Sequence, residues 1–187
     1  ELGYDDLEYD LQNANGEMTT AASIATKFKS DNVRLAVGIT TPMAQAVVNA
    51  IDDIPVVFAA VTDPVEAGLV PSFDAGFENV TGSSDLTPIQ AQFELIADLA
   101  DVNAIGHVYS SGEANAVIGA EMAREQAQAM GIEFIESTVT NSSEVRSATQ
   151  AIIDRVDAIY VSTDNTVVSA LSALTEVAFE SGVPVIS

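Results

Sequence analysis

Apolar residues in this chain come in short bursts separated by longer amphipathic stretches, and the two kinds alternate almost from end to end. Leu7 to Leu11 alternates apolar and acidic residues, the period-two pattern of a half-buried strand. From Met18 to Lys29 the apolar positions take helical spacing, with Ile24, Ala25 and Phe28 on one side. The runs 35–39 and 54–60 read as strands and enclose a helix over 42–51. Thr87 and Pro88 open a further helix, as N-cap and first-turn proline, that runs to Ala100. In the second half, strands are predicted at 104–109, 132–138, 157–161 and 183–186. Helices fill the intervals over 113–130, 143–155 and 164–181, and Gly131 and Gly182 stand where a helix C′ glycine belongs. Strands joined by helices of this length pair in parallel through right-handed crossovers, so the fold class is α/β.

One unit occurs twice. Leu35 to Thr41 is an apolar strand ending in paired hydroxyls, followed by a helical run to Ile51 and the strand Ile54-Pro55-Val56-Val57-Phe58. Ala158 to Thr163 does the same, ahead of a helical run to Phe179 and the strand Val183-Pro184-Val185-Ile186. Two copies predict two Rossmann-like lobes, each turning a helix N-terminus towards a shared space. Residues 61–86 break the rhythm, with Asp63-Pro64, Gly68, Pro71, Gly76 and Gly82 as turn formers and no clear period. The passage between lobes is placed near Asn79 to Asp85, giving a first lobe over 1–80 and a second over 81–187. The first lobe has few strands for a sheet covered on both faces, and the last strand stops at Ser187 where a loop belongs. Both ends are therefore expected to be cut from something longer.

Composition narrows the function classes. At 187 residues and 48% apolar, the chain can bury a substantial core. No apolar run approaches the roughly 20 residues of a membrane-spanning helix, and no basic-then-apolar leader opens the sequence. The absence of cysteine removes disulfides and thiolate metal sites. Acidic residues outnumber basic ones 28 to 6, for a net charge of −22, which is the wrong sign for nucleic acid or an anionic membrane surface. The acids are spread along the chain and form a solvated surface. With lysine scarce, this is expected to be adaptation to saline surroundings, where screening weakens self-repulsion. An ordinary acidic extracytoplasmic protein is the alternative.

In open parallel sheets, ligands bind beyond the carboxyl ends of the strands. Four such ends carry polar clusters: Thr40-Thr41; Thr62-Asp63-Pro64; Ser110-Ser111-Gly112-Glu113 with Asn115; and Ser162-Thr163-Asp164-Asn165. Free N–H groups and the positive end of a helix dipole favour a carboxylate or phosphate, and the hydroxyls add donors. Asp63, Glu113 and Asp164 could hold an ammonium group. Anion-seeking helix ends beside fixed carboxylates suit a zwitterion, that is, an amino acid. The plainer alternative is that Thr41, Ser111 and Thr163 are ordinary N-caps and that Ser110 with Glu113 forms a capping box. His107, the only histidine, lies mid-strand and is expected in the core or on a sheet face rather than in catalysis. There is no G-x-S-x-G elbow, P-loop or G-x-G-x-x-G turn. A metal held by Asp63, Asp85, Glu113 or Asp164 matches no EF-hand spacing, so no metal or cofactor is expected. Asn79-Val80-Thr81 and Asn141-Ser142-Ser143 are glycosylation sequons by pattern only.

At these strand ends the sequence resembles the ABC-transporter substrate-binding proteins of the TrpX-like group, which have a type I periplasmic-binding fold. The carrying segments are Ile54 to Phe58 through Val61-Thr62-Asp63-Pro64-Val65, Asn79-Val80-Thr81-Gly82, Val108 to Asn115, and Tyr160 to Thr166. The resemblance covers nearly the whole chain. It implies a secreted or lipid-anchored receptor, periplasmic or at the cell surface, that hands an amino acid-like ligand, aromatic for several members, to a membrane permease. It also implies that the family's N-terminal strand and helix of lobe one, and its C-terminal recrossing segment, lie outside this sequence. Cleft residues by resemblance are Thr41, Thr62, Asp63, Ser110, Ser111, Glu113, Asn115, Thr163, Asp164 and Asn165. Ser110, Ser111 and the helix starting near Glu113 would take a carboxylate, and Asp164, with Asp63 second, an ammonium. The alternatives are the ligand-sensing domain of a regulator and a metal-assisted α/β enzyme.

Overall fold

The computed structural model describes residues 7–99 and 101–187 and contains two parallel sheets. The first is ordered β1 (Ala36–Ile39), β2 (Val56–Val61) and β3 (Val80–Ser84). Helices α1 (Met18–Ser30) and α2 (Thr41–Ala50) supply its cover, Pro42 standing in the first turn of α2 where its missing N–H costs nothing. A Cβ at Gly38 would meet the Ala44 Cα at 2.6 Å, so glycine there lets α2 lie directly against β1. Ala25, Ala44, Val47, Ile51, Val56, Phe58, Val61, Leu69 and Val70 form the core of this lobe.

The second sheet runs β5 (Glu133–Val139), β4 (Ala104–Ser110), β6 (Ala158–Tyr160) and β7 (Val185–Ile186), all parallel. Period-two alternation sends its residues to opposite faces. Ile105, Phe134, Ala158 and Tyr160 meet α3 (Ile89–Leu99) and α4 (Ala114–Met130), which contribute Ile89, Phe93, Ile96, Ala123 and Ala127. Val108, Ile135, Val139, Ile159 and Val161 meet α5 (Val145–Ile152) and α7 (Leu171–Glu180) through Val145, Ile152, Leu174 and Val177. The buried face of α4 is almost wholly small, with Ala116, Gly119, Ala120, Ala123 and Ala127, so the helix sits close to the strands. Helices on both faces of a parallel sheet make this lobe doubly wound. Its strand order reverses between β4 and β6, and the crevice at that reversal is where such folds take ligands.

The alternation in the sequence therefore maps onto an α/β fold, with four local differences. Leu7 to Leu11 forms no strand: it has no ladder partner among the described residues, and Leu7, Tyr9 and Leu11 are exposed. β1 stands at the edge of its sheet, with Leu35, Val37 and Ile39 also exposed. Within the stretch expected to be irregular, Val80–Ser84 is an edge strand paired with β2, so 81–84 lie in the first lobe's sheet and not in the second lobe as expected. After Val80, which is buried in the core, its Thr-Gly-Ser-Ser sequence carries no apolar signal, and the ladder to β2 with the Ser84 hydroxyl on the Thr62 carbonyl holds it. The helix expected over 164–181 is two helices, α6 (Asn165–Ser169) and α7, broken at Ala170, where neither glycine nor proline marks the sequence. Residues 143–155 form α5 flanked by 3-10 turns at Ser142–Glu144 and Ile153–Arg155. Ala100, the expected end of α3, lies outside the described residues.

His107 is fully buried, within 5.4–5.7 Å of the rings of Tyr109, Phe134 and Tyr160. Its Nδ1 lies 2.9 Å from the Tyr160 carbonyl, which can only accept, so Nδ1 carries the proton. Nε2 is then the acceptor facing Ser162 Oγ at 3.4 Å. Burial pushes the imidazole pKa down to about 4, against a weaker opposing pull from the Tyr160 carbonyl.

Candidate ligand site at the lobe junction

The four polar strand ends come to the facing edges of the two lobes, but the side chains are not used as their local spacing implies. None of Thr41, Ser111 and Thr163 caps a helix: the N-cap positions of α2, α4 and α6 fall on Thr40, Glu113 and Asp164. The Ser110–Glu113 capping box does not form. Glu113 instead reaches across to α6, where Oε1 accepts from the Thr166 N–H and Oγ1 at 2.9 and 2.5 Å. Its Oε2 accepts from Asn165 Nδ2 at 2.6 Å. The first-turn N–H groups of α4 are thereby left without a carboxylate cap of their own.

Asp164 is the most enclosed of the carboxylates, at 1% exposure. Oδ1 accepts from the Val167 N–H at 2.9 Å, capping α6, and Oδ2 accepts from the Ser110 N–H at 2.6 Å. It thus ties the end of β4 to the start of α6 across the strand-order reversal. Burial raises its pKa, the two backbone donors act the other way, and nearby Glu113 adds to the rise. Asp63 is half-buried and folds its Oδ1 over the following turn, accepting from the Val65 and Glu66 N–H groups at 2.9 and 3.0 Å. Ser111 is exposed, its backbone N–H donating to the Val139 carbonyl at 3.1 Å.

Asn115, 2% exposed in the first turn of α4, donates from Nδ2 to the Thr163 carbonyl at 2.6 Å. A carbonyl accepts only, so this bond fixes which way the amide points. Its Oδ1 is buried with no donor within hydrogen-bonding reach among the described residues. Buried acceptors of this kind are rare, and ordered water or a bound ligand is what satisfies them. Thr163 also meets Thr62 of the first lobe, their Oγ1 atoms 2.9 Å apart.

Between the lobes lies an open groove of about 320 Å³. Ser111, Gly112, Glu113, Ala114, Val117, Ile118 and Glu121 line it from the second lobe and Glu66 from the first. Among the described residues, Asp63, Asp85, Glu113 and Asp164 do not gather into a group that could hold a metal ion. Two further positions lay beyond local pattern: Thr40 and Ala60, at the carboxyl ends of β1 and β2, have φ of 78° and 52°. Positive φ in a residue with a Cβ is strained, and such strain concentrates where backbone is shaped for a ligand. Nothing in the sequence distinguishes these two from their neighbours.

This architecture, two parallel α/β lobes facing one another across a groove at their strand ends, is that of the type I periplasmic-binding proteins. A family model described as ABC transporter substrate binding protein matches residues 1–187, and the chain belongs to that family. It is 40% identical over 184 residues to a tyrosine-binding protein of Clostridioides difficile (strain R20291), covering 98% of this chain and 53% of the relative. The chain thus spans about half the length of that curated relative. An ABC domain from Streptococcus pneumonia in complex with L-Trp is 34% identical with a TM-score of 0.92, covering 96% of this chain and 62% of the other. The ligand-free, open structure of a substrate binding protein with adhesive properties from Clostridium difficile is 37% identical over 98% of this chain and 62% of the other. Its TM-score is 0.63.

Proposed function

We propose that the chain is the ligand-capturing part of an extracytoplasmic, non-enzymatic receptor that delivers an amino acid to an ABC permease. One observation carries the ligand class: the buried, donor-less Oδ1 of Asn115 beside the helix N-terminus of α4. The acceptor asks for an N–H donor and the helix end for an anion, and an amino acid supplies both on adjacent carbons. The carboxylate is assigned to the first turn of α4 with the hydroxyls of Ser110 and Ser111. For the ammonium we assign Asn115 Oδ1 together with Asp63, whose hydrogen bonds within the chain all go to Oδ1. Asp164 and Glu113 have their oxygens engaged by backbone and side-chain donors of their own lobe, so we assign them to shaping the site, with Asn165 and Thr163. Thr41 and Thr62 close it from the first lobe. Val117 and Ile118 offer the apolar wall that an aromatic side chain needs. The names of the two relatives, one tyrosine-binding and one holding L-Trp, favour an aromatic ligand.

Titration calorimetry with the twenty amino acids, a sugar and a nucleoside tests this. Tight binding of one or more aromatic amino acids is expected. Binding of the sugar or nucleoside with silence from every amino acid overturns it.

A further inference from the structure

Thr62 and Thr163 follow the ends of β2 and β6 in different lobes, and each is tied into its own lobe on the far side of the contact between them. The carbonyl of Thr62 accepts from Ser84 Oγ at 2.8 Å, and Ser84 Oγ accepts in turn from the Leu86 N–H at 3.0 Å. The first-lobe half of the pair therefore reaches the segment 85–88, where the chain leaves β3 for α3. The carbonyl of Thr163 accepts from Asn115 Nδ2, so the second-lobe half reaches the first turn of α4. Among the described residues, the Oγ1–Oγ1 contact at 2.9 Å is the one side-chain hydrogen bond joining the two lobes. α2 and α4 also touch across the junction, but without a polar bond. The lobes superpose on the L-Trp complex far better than on the open, ligand-free relative at similar identity.

We propose that Thr62 and Thr163 form a closure latch, a matched hydroxyl pair that lets the lobes shut without stranding a buried hydroxyl, before any ligand contributes. The proposal rests on the receptor being able to open and close, and not on which ligand it takes. Its strength follows from what opening does to the two hydroxyls. In the shut form each satisfies the other in a site where Thr62 is 4% exposed, and on opening both return to water. The exchange is nearly even, so the matched pair permits shutting rather than driving it. Removing the Thr163 hydroxyl is different, because Thr62 is then buried without a partner in the shut form, whereas Thr163 is only half-buried and keeps some access to water. That asymmetry shifts the shut-to-open ratio by roughly tenfold towards open for T163V and by less for T62V. Replacing both with valine removes the stranded group and returns the ratio towards the wild-type value. Apparent ligand affinity follows the shut fraction in the same order.

The test is a spin-label distance distribution without ligand, on the chain carrying D53C and E180C as attachment points. Both positions are exposed and in different lobes, and the chain has no native cysteine. T163V should broaden the distribution towards longer distances and T62V should do so less, the double variant should lie closer to wild type than T163V, and T62S with T163S should match wild type. Unchanged distances in both single variants, or single effects that simply add in the double, overturn the latch. Retained circular dichroism in each variant separates an opened protein from an unfolded one. Silence from every amino acid in calorimetry would overturn the ligand assignment and leave these distances as they are.

Discussion

Acidification should find its weakest point in the second lobe at His107. The folded protein holds this imidazole neutral, with a pKa pushed from 6.5 down to about 4, while the unfolded chain leaves it at the ordinary value. The unfolded state thus takes up the proton first. The stability contributed by neutral His107 is complete above about pH 6.5 and is lost as pH falls towards 4. The full span corresponds to about 3 kcal/mol, of which about 2 kcal/mol falls between pH 7 and pH 5. Glu136 favours the charged ring and Arg124 opposes it, and both are weaker than burial. Carboxylates titrate in the same window, so the clean comparison is with H107Q, which cannot take up the proton. Urea unfolding of both proteins at about pH 7 and about pH 5 should show the wild type losing about 2 kcal/mol more than the variant. As the chain has one histidine, its ring resonances can be followed alone by NMR. A folded-state titration near 6.5, or equal acid sensitivity of the two proteins, would refute the burial argument.

Other substitutions probe the junction and the packing. D164A removes both the α6 cap and the acceptor for Ser110, and should lower unfolding free energy by about 2–4 kcal/mol in chemical denaturation. D164N should recover little of it, because an amide turned to cap α6 sets its NH₂ against the Ser110 N–H. N115A should weaken aromatic amino acid binding by roughly tenfold in calorimetry, and unchanged affinity would remove Asn115 from the site. G82A places a Cβ 2.1 Å from the Phe58 carbonyl oxygen, so it should detach β3 and lower Tm. With 28 acidic residues on a net charge of −22, raising monovalent salt should raise Tm by screening.

Much of the fold is written in local periodicity, because parallel strands and their covering helices each carry their own apolar pattern. β4 and α4 could be placed within a residue or so, Gly131 ending the helix with φ of 72°. What escaped is whatever depends on a distant neighbour. β3 is a strand only because β2 offers it a ladder, and Leu7 to Leu11 is not one because nothing described does. The break at Ala170 follows from two anchors outside the helix: Glu113 and Asp164 hold α6, while α7 must seat Leu174 and Val177 on the sheet. The candidate residues share the same limit. Their gathering at strand ends was legible from the topology the pattern implies. The use of Glu113 was not, since its spacing from Ser110 fits a capping box while its partners lie fifty residues downstream.

The outer edge of β1 sets the conditions under which this chain can be handled. Its backbone groups have no ladder partner among the described residues, and Leu35, Val37 and Ile39 stand exposed beside them. An unpaired apolar strand is a template for a second chain, and edge-to-edge pairing here would propagate into aggregates. What holds copies apart is the long-range repulsion of a strongly negative surface. Salt shortens that repulsion to a few ångströms while leaving the short-range pairing intact. The same ions that firm up the individual fold therefore remove its colloidal protection, and concentration sets which effect prevails.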